Sequence, residues 1–102
     1  MVSGDARDDL LAIYNYVAAH ESPARAESLL TRLQNAVSSL ADLPFRGNIP
    51  AEMQRLGVED YREIHAGPYR VIYRVREDEV IVYGVADGRR DMQAFLQRRL
   101  TP

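Results

Sequence analysis

The sequence contains no cysteine and no lysine, and only two histidines. Without cysteine the chain has no disulfides, no thiolate nucleophile and no cysteine-ligated metal. All 13 basic residues are arginines. Each cation is therefore a planar guanidinium suited to pairing with carboxylates or phosphates, and none is an amine that titrates near neutral pH.

The sequence lacks the motifs of several functional classes. No apolar run approaches the ~18 residues of a membrane helix, and the chain does not open on a signal peptide. Neither a GxGxxG nor a P-loop motif is present. His20 and His65 lie outside any nucleophile motif, and a helix N-terminus explains the acidic Asp5, Asp8 and Asp9. We expect a cytoplasmic protein without cofactor, metal or membrane contact.

Length and composition fit one domain, and its charge is unevenly distributed along the chain. At 102 residues and 46% apolar composition, the chain fits a single domain spanning residues 1–102. Its net charge of −2 disfavours a strongly basic nucleic-acid binder. Residues 1–60 are acidic on balance, whereas residues 61–102 are basic. The basic character is thus concentrated in the C-terminal part.

Apolar spacing in the first half predicts two helices. A three- and four-residue period indicates an amphipathic helix over about residues 5–20, with Asp5 as its N-cap. Ser22 and Pro23 form a second start signal, and a longer apolar stripe follows. The second helix is expected to stop before Pro44. A connection of about three residues makes the pair an antiparallel hairpin.

The second half predicts a β-meander. Strands are expected at about 61–66, 69–76 and 80–86, separated by the Gly67-Pro68 and Glu77-Asp78 turns. A short helix over about 91–99 closes the chain, and residues 51–58 are ambiguous. Helix, helix, three strands and a helix predict an α+β fold, with the hairpin packed on a small antiparallel sheet.

Arginines run through these strands. Arg70, Arg74 and Arg76 share a parity and leave one face of the central strand. Arg62 lies on the preceding strand, and Arg89 and Arg90 follow the last one. The alternative is a solvated face paired with nearby carboxylates, but such pairs are worth only ~0–1 kcal/mol. We predict that the arginines converge into one patch that attracts phosphates or acidic peptides.

Three further patterns stand out: DLLAIYNYVA, the L-x-x-L-P-x-x-G pattern from Leu40 to Gly47, and above all GPYRVIYRV followed by VIVYGVADGRRD. In these patterns, and over about nine-tenths of its length, the sequence resembles the RelE/ParE superfamily of bacterial toxins. It implies a small antiparallel sheet with an N-terminal helical hairpin. The family usually opens with a strand, whereas only Met1–Gly4 precede the first helix here. That strand is either very short or lost.

The resemblance implies one of two activities. RelE-like members cut mRNA on the ribosome, and ParE-like members bind and poison DNA gyrase. Arg70 and Arg90 match the phosphate-stabilising arginines of the nucleases, and Arg62 matches one further basic position. The nuclease tyrosine, however, falls at Leu96. An RNA-cleaving site would then consist of Arg62, His65, Arg70 and Arg90, with His65 as base.

The missing acid–base pair and the negative net charge favour a gyrase inhibitor without catalytic residues. The resemblance also implies a hetero-oligomer with a ParD-like antitoxin, which lays apolar side chains beside the helical hairpin and acidic ones near the arginines. The candidate target-binding residues are Arg62, Arg70, Arg74, Arg89 and Arg90. The candidate antitoxin-binding residues are Leu10, Tyr14, Leu30, Leu33 and Val37.

Overall fold

A computed structural model describes residues 1–100 of the chain. Two long helices and a helical turn precede a three-stranded antiparallel sheet, and a short helix ends the described chain. The elements are α1 Gly4–His20, α2 Pro23–Ser39, α3 Ala51–Gln54, β1 Arg62–Ala66, β2 Tyr69–Arg76, β3 Glu79–Asp87 and α4 Met92–Leu100. This arrangement confirms the predicted α+β class.

A serine caps the first helix. The Ser3 hydroxyl accepts a hydrogen bond from the backbone N–H of Ala6 at 3.1 Å. The predicted cap at Asp5 is therefore wrong, because Asp5 already lies inside the first turn. Its carboxylate instead places negative charge at the positive end of the helix dipole.

The second helix begins as predicted and ends early. Ser22 caps it, and Pro23 occupies the first helical position, where its missing N–H costs nothing. It ends at Ser39 rather than just before Pro44. The Ser39 hydroxyl donates to the Ala36 carbonyl oxygen at 2.6 Å. Such local side-chain bonds compete with the helical backbone pattern, and turns follow.

The sheet has the order β1-β2-β3, with both neighbouring pairs antiparallel. On the outer edge of β3, Met1–Ser3 form a short parallel pairing centred on Val82. The Val82 N–H donates to the Met1 oxygen at 2.8 Å, and the Ser3 N–H donates to the Val82 oxygen at 2.9 Å. The segment before α1 thus pairs with the sheet as the first strand of the family pattern does, and it covers part of an otherwise open edge.

The core lies on both faces of the sheet, since strand side chains alternate between them. On one face the helical hairpin packs against the side chains of Ile64, Val71, Tyr73, Val82 and Val85. On the other face α3 and α4 enclose Met53, Ile72, Ala86, Met92, Phe95 and Leu96. Residues 51–58, which the sequence left ambiguous, thereby supply the single turn α3 and its buried Met53.

Candidate functional site

Arg70 lies on the face of β2 that looks towards α3, between two carboxylates. Its Nε donates to Oε1 of Glu63 on β1. Its Nη1 and Nη2 donate to the two carboxylate oxygens of Glu52 on α3, at 2.9 and 2.8 Å. The second oxygen of Glu63 accepts from the Asn48 side-chain amide at 2.9 Å. We call Glu52, Glu63 and Arg70 the Arg70 clamp.

The Arg70 clamp is largely removed from solvent. The side chains of Arg70 and Glu63 are 14% and 6% exposed. Hydrogen bonding to Arg70 lowers the pKa of Glu52 from its ordinary value to about 2, and the same contact raises the pKa of Arg70. Charge-assisted bidentate pairs are among the strongest polar contacts in proteins. Three of the five N–H donors of Arg70 are thus engaged by Glu52 and Glu63, and little of the guanidinium is open to a phosphate.

Arg62 lies on the opposite face of the sheet. The register pairs Arg62 with Tyr73, which belongs to the hairpin-side core, and pairs His65 with Arg70. The Arg62 Nη1 donates to the Gly47 carbonyl oxygen at 2.8 Å, and its guanidinium lies 5.3 Å from the centre of the Phe45 ring. Arg62 therefore fastens the loop before α3 to the sheet edge.

Of the remaining candidate arginines, Arg89 and Arg90 are exposed and Arg74 is half-buried. Arg74 lies over the Tyr61 ring at 5.7 Å, and Arg90 lies over the Phe95 ring at 4.8 Å. Arg89 is 80% exposed and pairs with the adjacent Asp87 at 2.6 Å. The prediction that the arginines form a single patch is wrong. The pairing register of β1 and β2 places Arg62 on the other face of the sheet, and the carboxylates of Glu52 and Glu63 enclose Arg70. Whether any of these five residues contacts a target stays a prediction.

His65, the candidate base of the nuclease alternative, lies on the same face as Arg70. Its side chain is 58% exposed, and its Nε2 is 3.6 Å from a Glu63 oxygen. Leu96, at the position of the nuclease tyrosine, is buried with Phe95 between α4 and the sheet. The groups around Arg70 are thus one histidine and two carboxylates.

Of the apolar residues assigned to antitoxin contact, Leu33 is buried in the hairpin and the other four are half-buried. Leu33 is 1% exposed, and Leu10 and Val37 pack against the same core. Tyr14 donates its hydroxyl to Glu27 across the two helices at 3.1 Å. No water-sized space remains among Leu10, Tyr14, Leu30 and Leu33. A cavity of about 530 Å³ lies beside the end of α2 and is lined by Val37 and Leu40. Whether the five residues contact an antitoxin stays a prediction.

Large apolar side chains are exposed elsewhere. Leu11 and Tyr16 project from α1, Leu43 and Phe45 lie in the loop after α2, and Leu56 follows α3. Their exposed fractions range from 59% to 70%. These positions are more accessible for a protein partner than the hairpin stripe.

Sequence reasoning missed a second enclosed ion pair. The Arg99 guanidinium on α4 donates to both carboxylate oxygens of Asp9 on α1, at 2.7 and 2.9 Å, and to the Tyr83 carbonyl oxygen. Asp9 also accepts from the Val85 N–H. Since Asp9 and Arg99 are 90 residues apart, no local pattern pairs them. The contact fixes the C-terminal helix to the first helix and the sheet.

Within residues 1–100, no helix has both the length and the apolar character to cross a membrane. No group of three His, Cys, Asp or Glu side chains in that range is arranged to hold a metal ion.

The chain is similar to known toxin–antitoxin proteins in its sequence pattern and in its fold. The family model described as ParE toxin of type II toxin–antitoxin system, parDE, matches residues 1–92. Among solved structures, a chain of a chromosomal ParDE toxin–antitoxin system from P. aeruginosa superposes with a TM-score of 0.71. The two are 21% identical, and the match covers 84% of this chain and 90% of that one. No curated protein matches the chain by sequence.

Proposed function

Because the chain belongs to the ParE toxin family of type II toxin–antitoxin systems, we propose that it inhibits DNA gyrase by binding the enzyme. A ParD-like antitoxin neutralises it in a hetero-oligomeric complex. The proposed target implies action in the cytoplasm. The name of the solved ParDE system supports the antitoxin part of the proposal.

The Arg70 clamp is the feature that favours binding of a target over cleavage of RNA. RNA cleavage needs cations free to meet a phosphate and groups that move protons. In this chain Arg70 is occupied by Glu52 and Glu63, and the position of the nuclease tyrosine is the buried Leu96. Both features support a toxin that acts by contact alone.

The arginines outside the Arg70 clamp are our candidates for gyrase contact. Arg74, Arg89 and Arg90 present guanidinium groups outside the Arg70 clamp, and arginine is favoured at protein interfaces because it stacks and pairs bidentately. Arg62 contributes at the edge near Phe45. We propose that these residues, rather than Arg70, meet acidic groups of the target.

Purified protein is expected to inhibit ATP-dependent negative supercoiling of relaxed plasmid by gyrase at micromolar concentration. Addition of the protein encoded by the adjacent reading frame, the candidate antitoxin, is expected to restore supercoiling. Topoisomer bands on agarose gels measure both effects. Unchanged supercoiling by a folded preparation would show that gyrase is not the target.

A ribosome-dependent endoribonuclease is the alternative, and the exposed His65 beside Arg70 is the observation that favours it. It predicts cleaved mRNA in a translating extract and loss of cleavage in His65→Ala. Primer extension on a reporter transcript distinguishes the two functions. Intact transcripts at toxin concentrations that inhibit gyrase would exclude the nuclease.

A further inference from the structure

An open pocket of about 380 Å³ lies beside the turn that joins β1 and β2. The end of α1, one face of α2, the turn and the segment after β3 each supply part of its wall. This volume falls in the range of about 300–1,000 Å³ that small-molecule sites usually have. We call it the turn pocket and define it by the side chains that carry hydrogen-bond donors into it: Arg25, Ser28, Arg32, Tyr69 and Arg89.

Donors outnumber acceptors around the turn pocket. An arginine side chain carries five N–H donors and no acceptor, and the hydroxyls of Ser28 and Tyr69 can donate as well. Within residues 1–100, Glu21 is the one carboxylate in the lining. A ligand that satisfies these groups is therefore rich in acceptors and carries negative charge.

Some of these donors form a row on α2. Arg25, Ser28 and Arg32 follow one another at spacings of three and four residues, which places their side chains on one side of the helix. Because α2 is a continuous helix, the positions from which the three side chains extend are fixed before a ligand arrives. Donors that are already in place reduce the entropy lost on binding.

Arg32 is the arginine of the turn pocket without an internal partner. Within residues 1–100, its guanidinium forms no ion pair with a carboxylate. It lies against the β1–β2 turn, where its Nη2 would be 3.3 Å from a Cβ placed on Gly67. Gly67 has a φ of +59°, which glycine adopts freely because it lacks a Cβ. The bare turn thus leaves room for the Arg32 guanidinium beside the pocket.

The other two arginines have exchangeable partners. Arg25 pairs with Glu21 at side-chain exposures of 73% and 45%. Arg89 pairs with Asp87 at 80% and 30%. Exposed pairs of this kind contribute little to stability, so a phosphate can share or replace the internal carboxylate at small cost. The Arg70 clamp, whose arginine is 14% exposed, does not offer that exchange.

The rest of the lining is apolar and aromatic. Val17 is buried, and Leu29 and Tyr69 are half-buried. Burial is the main cause that raises the pKa of Tyr69, so its hydroxyl stays a neutral hydrogen-bond donor at neutral pH. A ligand that fills the turn pocket therefore combines an acceptor-rich anion with an apolar or planar part.

We propose that the turn pocket binds the phosphate group of a small molecule. The phosphate oxygens accept from the guanidinium groups of Arg25 and Arg32 and from the hydroxyl of Ser28. Phosphate suits this row because it presents several acceptor oxygens and more than one negative charge, and arginine pairs with it bidentately. The organic part of a phosphate monoester lies against Tyr69 and the apolar lining. This inference goes beyond the proposed action on gyrase and does not depend on it.

A nucleic-acid strand is the less suitable occupant. Its affinity for a protein rests on the neutralisation of many phosphates, whereas the chain carries a net charge of −2. Glu21 in the lining repels the next phosphate of a continuing strand, but its carboxylate can accept a hydrogen bond from a hydroxyl of a small ligand. The turn pocket therefore favours a single phosphate group.

The test is an NMR titration of the backbone amides of the wild-type chain with adenosine monophosphate, whose ring system supplies the planar part. We expect saturating shifts at Ser28 and Gly67 with a dissociation constant below about 1 mM. The variant Arg25→Gln/Arg32→Gln is expected to bind at least about tenfold more weakly. Arg7→Gln, at an exposed position of α1 outside the pocket, is the matched control and binds like wild type. The spectra also show whether each variant is folded.

Adenosine, which lacks the phosphate, is expected not to bind. Inorganic phosphate identifies the source of the group: weaker binding than the monophosphate assigns the pocket to an organic phosphate, equal binding assigns it to free phosphate, and both retain the proposal. Absence of shifts with both phosphate ligands overturns it. Equal affinity of the double variant and wild type, or adenosine bound as tightly as the monophosphate, also overturns it.

A duplex DNA fragment is titrated in parallel. Binding of DNA by wild type without binding of the monophosphate assigns the arginines to nucleic acid and overturns the proposal. Supercoiling by gyrase is measured separately, so uninhibited gyrase together with phosphate binding rejects the gyrase target and retains the turn pocket.

Discussion

Replacement of Arg70 by methionine is expected to lower the free energy of unfolding by about 3–5 kcal/mol. Methionine keeps much of the side-chain volume but removes the cation that Glu52 and Glu63 share. Glu63 is only 4% exposed, so its carboxylate remains buried with only a neutral amide and the partly exposed His65 nearby. Urea denaturation at pH 7 measures the loss.

Arg76→Met is the matched control for this experiment. Arg76 shares a strand face with Arg70 but is exposed at the end of β2, so its replacement is expected to change stability by less than about 0.5 kcal/mol. Equal stability of the two variants would contradict the structural role of the Arg70 clamp.

The Arg70 clamp also makes the stability of the fold depend on pH. Because the folded pKa of Glu52 is depressed to about 2, its contribution to stability is present above the ordinary value of 4.5. That contribution is lost as the pH falls from 4.5 towards 2. Wild-type stability should decrease through this window, and Arg70→Met should show a smaller decrease. The difference between the two denaturation series isolates the linkage between Glu52 and Arg70.

Gly47→Ala is expected to lower the free energy of unfolding by about 3 kcal/mol and the melting temperature by roughly 10–20 °C. A Cβ at Gly47 would lie 2.5 Å from the Glu63 carbonyl oxygen and 2.6 Å from the Tyr73 hydroxyl. The first contact is with backbone and cannot relax by a rotamer change. The Gly47 N–H also donates to the buried Tyr73 hydroxyl at 3.0 Å, and the clash disrupts this bond.

Gly4→Ala supplies the control for Gly47. Gly4 begins α1, and a Cβ there meets nothing within 4 Å. Alanine has the higher helix propensity, so this variant is expected to be neutral or slightly stabilising. A Gly47→Ala protein as stable as Gly4→Ala would show that the close approach of the loop to β1 is not required. Scanning calorimetry of the two variants makes the comparison.

Gly47 also explains why one sequence pattern is informative. The glycine that ends the Leu40–Gly47 pattern is the point where the loop passes against β1 and Tyr73. Helix caps and strand alternation were likewise predictable at Ser22 and along β2, because each depends on residues a few positions apart. The α+β class follows from these local signals and their order.

The environment of the arginines was not predictable in the same way. Parity places Arg70 on a strand face but does not reveal that α3 brings Glu52 to that face from 18 residues away. Arg62 depends on the pairing register of β1 with β2, where a slip by one residue exchanges the two faces. The sequence shows how many cations exist, whereas long-range packing decides which remain accessible.

The two kinds of arginine therefore have separate consequences for function. Arg70 pairs with Glu52 and Glu63 inside the protein, so its replacement is expected to lower the free energy of unfolding. Arg25 and Arg89, by contrast, form exposed pairs with Glu21 and Asp87, so their guanidinium groups remain accessible. Affinity changes at constant stability identify the second kind.

The most direct test of binding without Arg70 is gyrase supercoiling with the triple variant Glu52→Gln/Glu63→Gln/Arg70→Met. The triple variant removes all three charges together, so that no enclosed charge is left unpaired, and it is expected to remain folded. The triple variant is expected to inhibit supercoiling at the same concentration as wild type. A folded triple variant that leaves supercoiling untouched, while wild type inhibits it, would show that Arg70 itself contacts the target.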